Sequence, residues 1–150
     1  MKKRQRIRWI LMFLVFIIFD QTLKFYFQYK NFMIIPKVFF IKYSENLGLI
    51  FGFFSNIWFF TFLLPILVLS VLIYYFIKEK NKLFKKSIFL IIIGVSGNLI
   101  GRIILGYVID FFYIPIYPAL NMTNFNLSDV AILSGVIISI ISLQKSRPKK

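Results

Sequence analysis

Four long apolar runs, near residues 9–27, 57–77, 87–109 and 128–144, constrain this chain more than any other feature. About 20 apolar residues are what a helix needs to cross roughly 30 Å of hydrocarbon, and a helix satisfies its own backbone polar groups where no water can. The pattern predicts an all-α membrane protein, a four-transmembrane-helix bundle. The first run follows Met1-Lys2-Lys3-Arg4-Gln5-Arg6-Ile7-Arg8, a basic lead like that of a secretory signal. No small-x-small cleavage site follows it, so it reads as an uncleaved span. With no repeat or linker, residues 1–150 read as a single domain.

The basic residues set the expected orientation. Of the nineteen Lys and Arg, five lie in residues 1–8, five in 78–86 and four in 145–150. Short loops rich in Lys and Arg stay cytoplasmic. Both termini and the middle connection are therefore expected inside, in a multi-pass membrane protein. Charged residues make up only 16% of the chain and hydrophobic ones 59%, which excludes an ordinary soluble domain. The net charge of +14 is accounted for by this topology and by attraction to anionic lipid, whereas a nucleic-acid binder wants a basic face on a soluble module. The absence of Cys and His removes disulfides, thiolate nucleophiles, Ser-His triads and His-ligated zinc. Carboxylates, hydroxyls, amides and amines are left to do any chemistry.

Two connections are expected outside. Residues 28–56 include the β-branched and aromatic stretch Met33 to Tyr43, which predicts a small extracytoplasmic β-like cradle in this first outer loop. The second, roughly 110–127, holds Pro115, Pro118, Asn121, Asn124 and Asn126 and no basic residue.

Five acids remain, and an ionised carboxylate near hydrocarbon costs about 2.5–3.5 kcal/mol on insertion scales, so its position needs a reason. Glu79 lies among the lysines of the middle connection and Glu45 in the first outer loop, as a charge partner and a solvated group. Asp20 precedes Lys24 by four residues, the favourable order for a helical ion pair. A Ser-Lys dyad using Lys24 is the alternative there, but no serine is singled out.

Asp110 closes the third run and Asp129 opens the fourth, on the same side, with eighteen residues between them. Asn126-Leu127-Ser128-Asp129 reads as a helix start, and Asp129 alone would be a cap. Asp110, at the negative end of a helix, is disfavoured unless something else holds it. Together, two carboxylates sharing one proton can hydrolyse an amide, one accepting a proton from water while the other supports the carbonyl oxygen and then protonates the leaving nitrogen. A cap plus an unrelated polar site, or an ion path, are the other readings of the pair. Asn46 and Gly48 lie where the first outer loop returns to the membrane. Asn98 and Arg102 stand one turn apart in the third run, each following a glycine (Gly97, Gly101) of a small-xxx-small pattern. Polar groups at that depth face a bundle interior, and Arg102 is expected to hold a carboxylate such as Asp110 or a lipid phosphate.

The pattern resembles the lipoprotein signal peptidase (signal peptidase II) family, bacterial membrane aspartyl proteases. The resemblance rests on Asp20-Gln21 with Lys24, Asn46-x-Gly48-x-x-Phe51, Gly97-Asn98 with Arg102, Val108-x-Asp110-Phe111 and Phe125-Asn126-Leu127-Ser128-Asp129. It implies an aspartyl endopeptidase with Asp110 and Asp129 as catalytic residues. Asp20, Lys24, Asn46, Gly48, Asn98, Arg102 and Asn126 would line or brace the substrate site. It also implies cleavage at the outer membrane surface, just before the diacylglyceryl-modified Cys of a prolipoprotein lipobox, with no metal or organic cofactor. The enzyme is expected to be a monomer among membrane lipids. The chain departs from the family's common pattern at Gly101, where Asp is usual, and at Ser128, where Ala is usual. A small proton-coupled transporter using Asp20, Asp110 and Asp129 is the rival function, although all three acids fall towards one side of the bilayer rather than its midplane. A membrane assembly subunit whose polar residues only join helices is the third reading.

Overall fold

The computed structural model describes residues 3–48, 59–115 and 124–145. Phe51, Trp58, Pro118 and Asn121 lie outside the described residues. Among the described residues four helices are long and apolar enough to cross a membrane: α1 (Lys3–Phe27), α2 (Leu64–Lys78, preceded by a π-helical turn, Phe59–Leu63), α3 (Lys82–Leu105) and α4 (Leu127–Lys145). Pro65 stands where the π-helical turn passes into α2, and with no N–H it makes no bond back into that turn.

Half of the most apolar window of α3 is buried against 11% of that of α1, so α3 is the axis of the bundle. Its packing on α4 depends on small residues. A Cβ at Gly135 would lie 2.7 Å from the Ser87 carbonyl oxygen, and one at Gly94 would overlap the backbone of Ser128. With no side chain there the two helices close to contact distance, the usual solution where lipid supplies no hydrophobic drive between helices. Ser139 and Ser87 complete the seam with a 2.8 Å hydroxyl–hydroxyl bond. Elsewhere Leu11, Val15 and Ile18 of α1 and Ile73 and Ile77 of α2 are exposed, as lipid-facing side chains should be.

The third apolar run does not stay helical to residue 109. α3 begins at Lys82, capped by Asn81, and ends at Leu105 because Gly106 adopts the left-handed conformation (φ +82°) that stops a helix. The chain then continues as β3 (Val108–Tyr113). Asp110 is therefore a strand residue, and the helix-dipole argument made from sequence does not apply to it.

The sheet holds the strands expected in the first outer loop and adds others from the second connection. Its four antiparallel strands run in the order β1 (Asn31–Ile35), β2 (Phe39–Asn46), β3 and β4 (Asn124–Phe125), two from each of the two connections. Ser44 pairs with Asp110, Asn46 with Val108, and Phe112 with Phe125. Alternation sends Ile109 and Phe111 to one face, where they bury with Ile41 against Leu23 and Phe27 of α1. The Phe27 and Phe111 rings stack at 5.0 Å and seat the sheet on the end of α1. The opposite parity leaves Val108 and Asp110 on the other face.

Candidate active site

Asp20, Lys24, Asn98, Asp110 and Asn126 are all buried, with Asp20 and Asn126 at 0% exposure, Lys24 at 1% and Asp110 at 2%. Five polar side chains cannot be buried in so apolar a protein unless they satisfy one another.

The ion pair forms as the spacing predicts: Lys24 Nζ lies 2.8 Å from Asp20 Oδ2, one helical turn away. Lys24 uses its other donors on Asn98 Oδ1 (2.9 Å) and the Ser128 hydroxyl (3.3 Å). Because Lys24 takes the Asn98 oxygen, the amide must present its nitrogen elsewhere, and Asn98 Nδ2 donates to Asp129 Oδ1 at 2.7 Å. A fixed line of partners thus runs from Asp20 through Lys24 and Asn98 to Asp129. Asp20 also accepts from the backbone N–H of Ser128 (3.0 Å), satisfying a first-turn donor of α4 with a negative charge where the helix dipole favours one.

Gln21, not among the residues expected to line or brace the site, donates to Asp20 Oδ2 and to the Gly97 carbonyl, both at 2.9 Å. Its signal was present: an amide beside a membrane-embedded acid. Gly97 is needed as a glycine, since a Cβ there would lie 2.8 Å from Asp20 Oδ2 and overlap the Ser128 hydroxyl.

The α4 start is a capping box. Asn126 Oδ1 accepts from the Asp129 N–H (3.1 Å), and Asp129 Oδ2 accepts from the Asn126 N–H (3.0 Å). Asp129 is therefore a cap and a partner in the buried cluster at once. Asn126, rather than Ser128, is the capping side chain. Its amide nitrogen is left free to donate to Asp110 Oδ1 at 2.6 Å, so one asparagine touches both aspartates.

The second Asp110 oxygen accepts from Asn46 Nδ2 at 3.0 Å. Asn46 Oδ1 accepts in turn from the Gly48 N–H (3.0 Å), and the Gly48 carbonyl accepts from Arg102 Nη2. Arg102 thus acts on backbone: its other terminal nitrogen donates to the Asn98 carbonyl (3.5 Å), and no ion pair joins it to Asp110 among the described residues. Gly101 leaves room beside it, with the nearest approach of a Cβ being the Tyr107 carbonyl at 3.3 Å. Burial, and then the charge of Asp129, push the Asp110 carboxyl up to about 7, against the opposing pull of its two amide donors. The arrangement brings two carboxylates to one asparagine between a strand and a helix start, with each remaining oxygen held by a further amide.

Set beside known proteins, residues 12–145 match the family model described as signal peptidase (SPase) II. The chain belongs to the signal peptidase II family. It is 33% identical over 148 residues to the lipoprotein signal peptidase of Staphylococcus aureus strain Newman, covering 94% of this chain and 90% of that one. Two solved bacterial membrane enzymes share its fold. One, at 2.3 Å resolution, has a TM-score of 0.82 at 31% identity over 95% of this chain and 93% of the other. The second, at 1.9 Å, has a TM-score of 0.80 at 32% identity over 93% and 94% of the two chains. Membership in this family makes the chain a membrane protease, and none of these likenesses supports the transporter reading of Asp20, Asp110 and Asp129.

Proposed function

We propose that this signal peptidase II family member is an aspartic endopeptidase that cuts prolipoproteins just before a diacylglyceryl-modified Cys, with Asp110 and Asp129 as its catalytic pair. The observation that carries the assignment is Asn126, whose side chain donates to Asp110 and accepts from Asp129 while its own N–H also bonds Asp129. Two like charges held this close cannot both ionise easily, so the pair keeps one proton, which belongs to the pair rather than to either residue.

The ionised member takes a proton from water as its oxygen attacks the scissile carbonyl carbon. The protonated member donates a hydrogen bond to the carbonyl oxygen. As the tetrahedral diol formed by transfer of that hydrogen-bonded proton to the carbonyl oxygen collapses, the Cys nitrogen takes the water-derived proton from the pair, the C–N bond breaks, one diol hydroxyl returns its proton, and the dyad again holds one proton. Asn46, Asn98 and Asn126 fix the carboxylates, and Asp20 with Lys24 fixes Asn98. The sheet of β1 to β4 faces the outer surface as the cradle for the extended signal peptide. The exposed apolar helix faces meet the acyl chains, both termini are cytoplasmic, and the enzyme works as a monomer.

The test is cleavage in lipid of a synthetic lipobox peptide bearing diacylglyceryl-Cys, with products located by mass spectrometry. Cleavage on the amino side of the modified Cys supports the proposal. Intact peptide with a folded enzyme, together with proton flux into sealed liposomes, would overturn it.

A further inference from the structure

The opposite end of the bundle carries a concavity that the peptidase reading does not use. A groove of about 480 Å³ opens between α1, α3 and α4. On α1 its lining falls at Gln5, Arg8, Trp9 and Met12, the i, i+3, i+4, i+7 spacing of one helical face. Lys86 of α3 supplies a second cation, and Ile138 of α4 closes the apolar wall. Trp9 is held rigidly there by Phe89 (ring centroids 4.6 Å) and by Phe76 edge-on at 5.3 Å.

Arg8 and Lys86 both remain exposed, and neither forms an ion pair among the described residues. The nearby acid, Glu79, turns its carboxylate to the Asn81 N–H at 2.6 Å, and it is Lys85 that donates to the Glu79 carbonyl. Two uncompensated cations thus sit at the mouth of an apolar groove lying more than two helical turns from Asp20 along α1. The catalytic site at the far end cannot explain them.

We propose that this groove is a discrete site for one anionic phospholipid of the leaflet opposite the aspartates, its phosphate between Arg8 and Lys86 and one acyl chain along Trp9, Met12 and Ile138. An apolar cleft in a bilayer accepts any acyl chain; the paired cations make the preference for an anionic headgroup. Because the site is remote from Asp110 and Asp129, it stands or falls separately from the proteolytic reading.

Trp9 provides the readout, since the chain has only two tryptophans and Trp58→Phe leaves Trp9 as the sole one. In phosphatidylcholine nanodiscs, phosphatidylglycerol with brominated acyl chains is expected to quench Trp9 at roughly 25-fold lower mole fraction than brominated phosphatidylcholine, about fivefold for each cation. Arg8→Gln with Lys86→Gln is expected to abolish that ratio while peptide cleavage persists, and Arg8→Lys to keep most of it. Soluble glycerol phosphate is expected not to relieve quenching. Equal quenching by the two lipids, an unchanged ratio in the double variant, or relief by glycerol phosphate would each overturn the proposal.

Discussion

Asp110 stands in a β-strand and is held by neutral amides, Asn46 on one oxygen and Asn126 on the other, with Asn46 tied through Gly48 to Arg102. Asp129 stands in the first turn of a helix and is held by Asn98, which is oriented by the buried Lys24–Asp20 pair, and by the backbone of Asn126. The strand offers no dipole, so Asp110 depends on donors borrowed from other segments. The helix start supplies its own donors, and Asp129 is part of what lets α4 begin. Two acids of one type thus enter one site by different means, and they should respond differently when disturbed.

The largest separation of the two is between chemistry and folding. Asp110→Asn and Asp129→Asn are each expected to lower peptide turnover by about 10²–10⁴-fold. Only Asp129→Asn should also weaken the start of α4, seen as lower resistance to unfolding in mixed micelles, because an amide is a poorer partner for the helix dipole.

Lys24→Met tests the ionic side. Removing the cation leaves Asp20 buried and uncompensated, which should cost about 3–5 kcal/mol of unfolding stability. Adding Asp20→Asn should restore part of that loss, since the uncompensated charge is then gone. A second substitution that only deepens the loss would mean the pair is not the unit described.

The pH dependence of stability tests the strand side. Burial and the neighbouring Asp129 raise the Asp110 carboxyl from its ordinary 3.8 to about 7 in the folded state. Between those values the folded protein binds more protons than the unfolded chain, so this group's contribution to stability falls as pH rises and levels off above about 7. The change is on the order of 4 kcal/mol at most. Unfolding of wild type at pH 5 and pH 8 should show it, and Asp110→Asn should flatten it; a wild-type stability that rises over this window through Asp110 would contradict the account.

Asn126→Ala touches both halves. It removes a cap worth about 1 kcal/mol and a charge-assisted bond to Asp110 worth about 1.5–3 kcal/mol, and it should slow turnover by about 100-fold through misplacement of the pair. Ser128→Ala should be the mildest change, within about 1 kcal/mol, because it removes the 3.3 Å contact to Lys24 but keeps the backbone N–H on Asp20.

Much of this arrangement could be read from local spacing. Asp20 and Lys24 at i and i+4, the four apolar runs, and the approach of Asp110 to Asp129 across one connection follow from helix geometry and lipid thickness. The end of α3 was harder to see, because Val108 and Ile109 are as apolar as a helix would be. Gly106 was the available stop signal, and it marks why Asp110 lies on a strand. The pairing of β2 with β3 joins residues about 65 positions apart, a contact that no local pattern encodes. Nor could sequence show that Arg102 would spend its guanidinium on carbonyls, or that Asn126 would bridge both acids, since each depends on the final placement of four separate segments.

The central claim is that Asp110 and Asp129 act as one unit, and the most direct measurement compares turnover of the diacylglyceryl-Cys peptide by Asp110→Asn, Asp129→Asn and the double variant, each verified as folded. The double variant is expected to be no slower than the slower single variant, because either substitution alone already removes the shared proton. Substantial turnover by either single variant, or losses that multiply in the double, would contradict it.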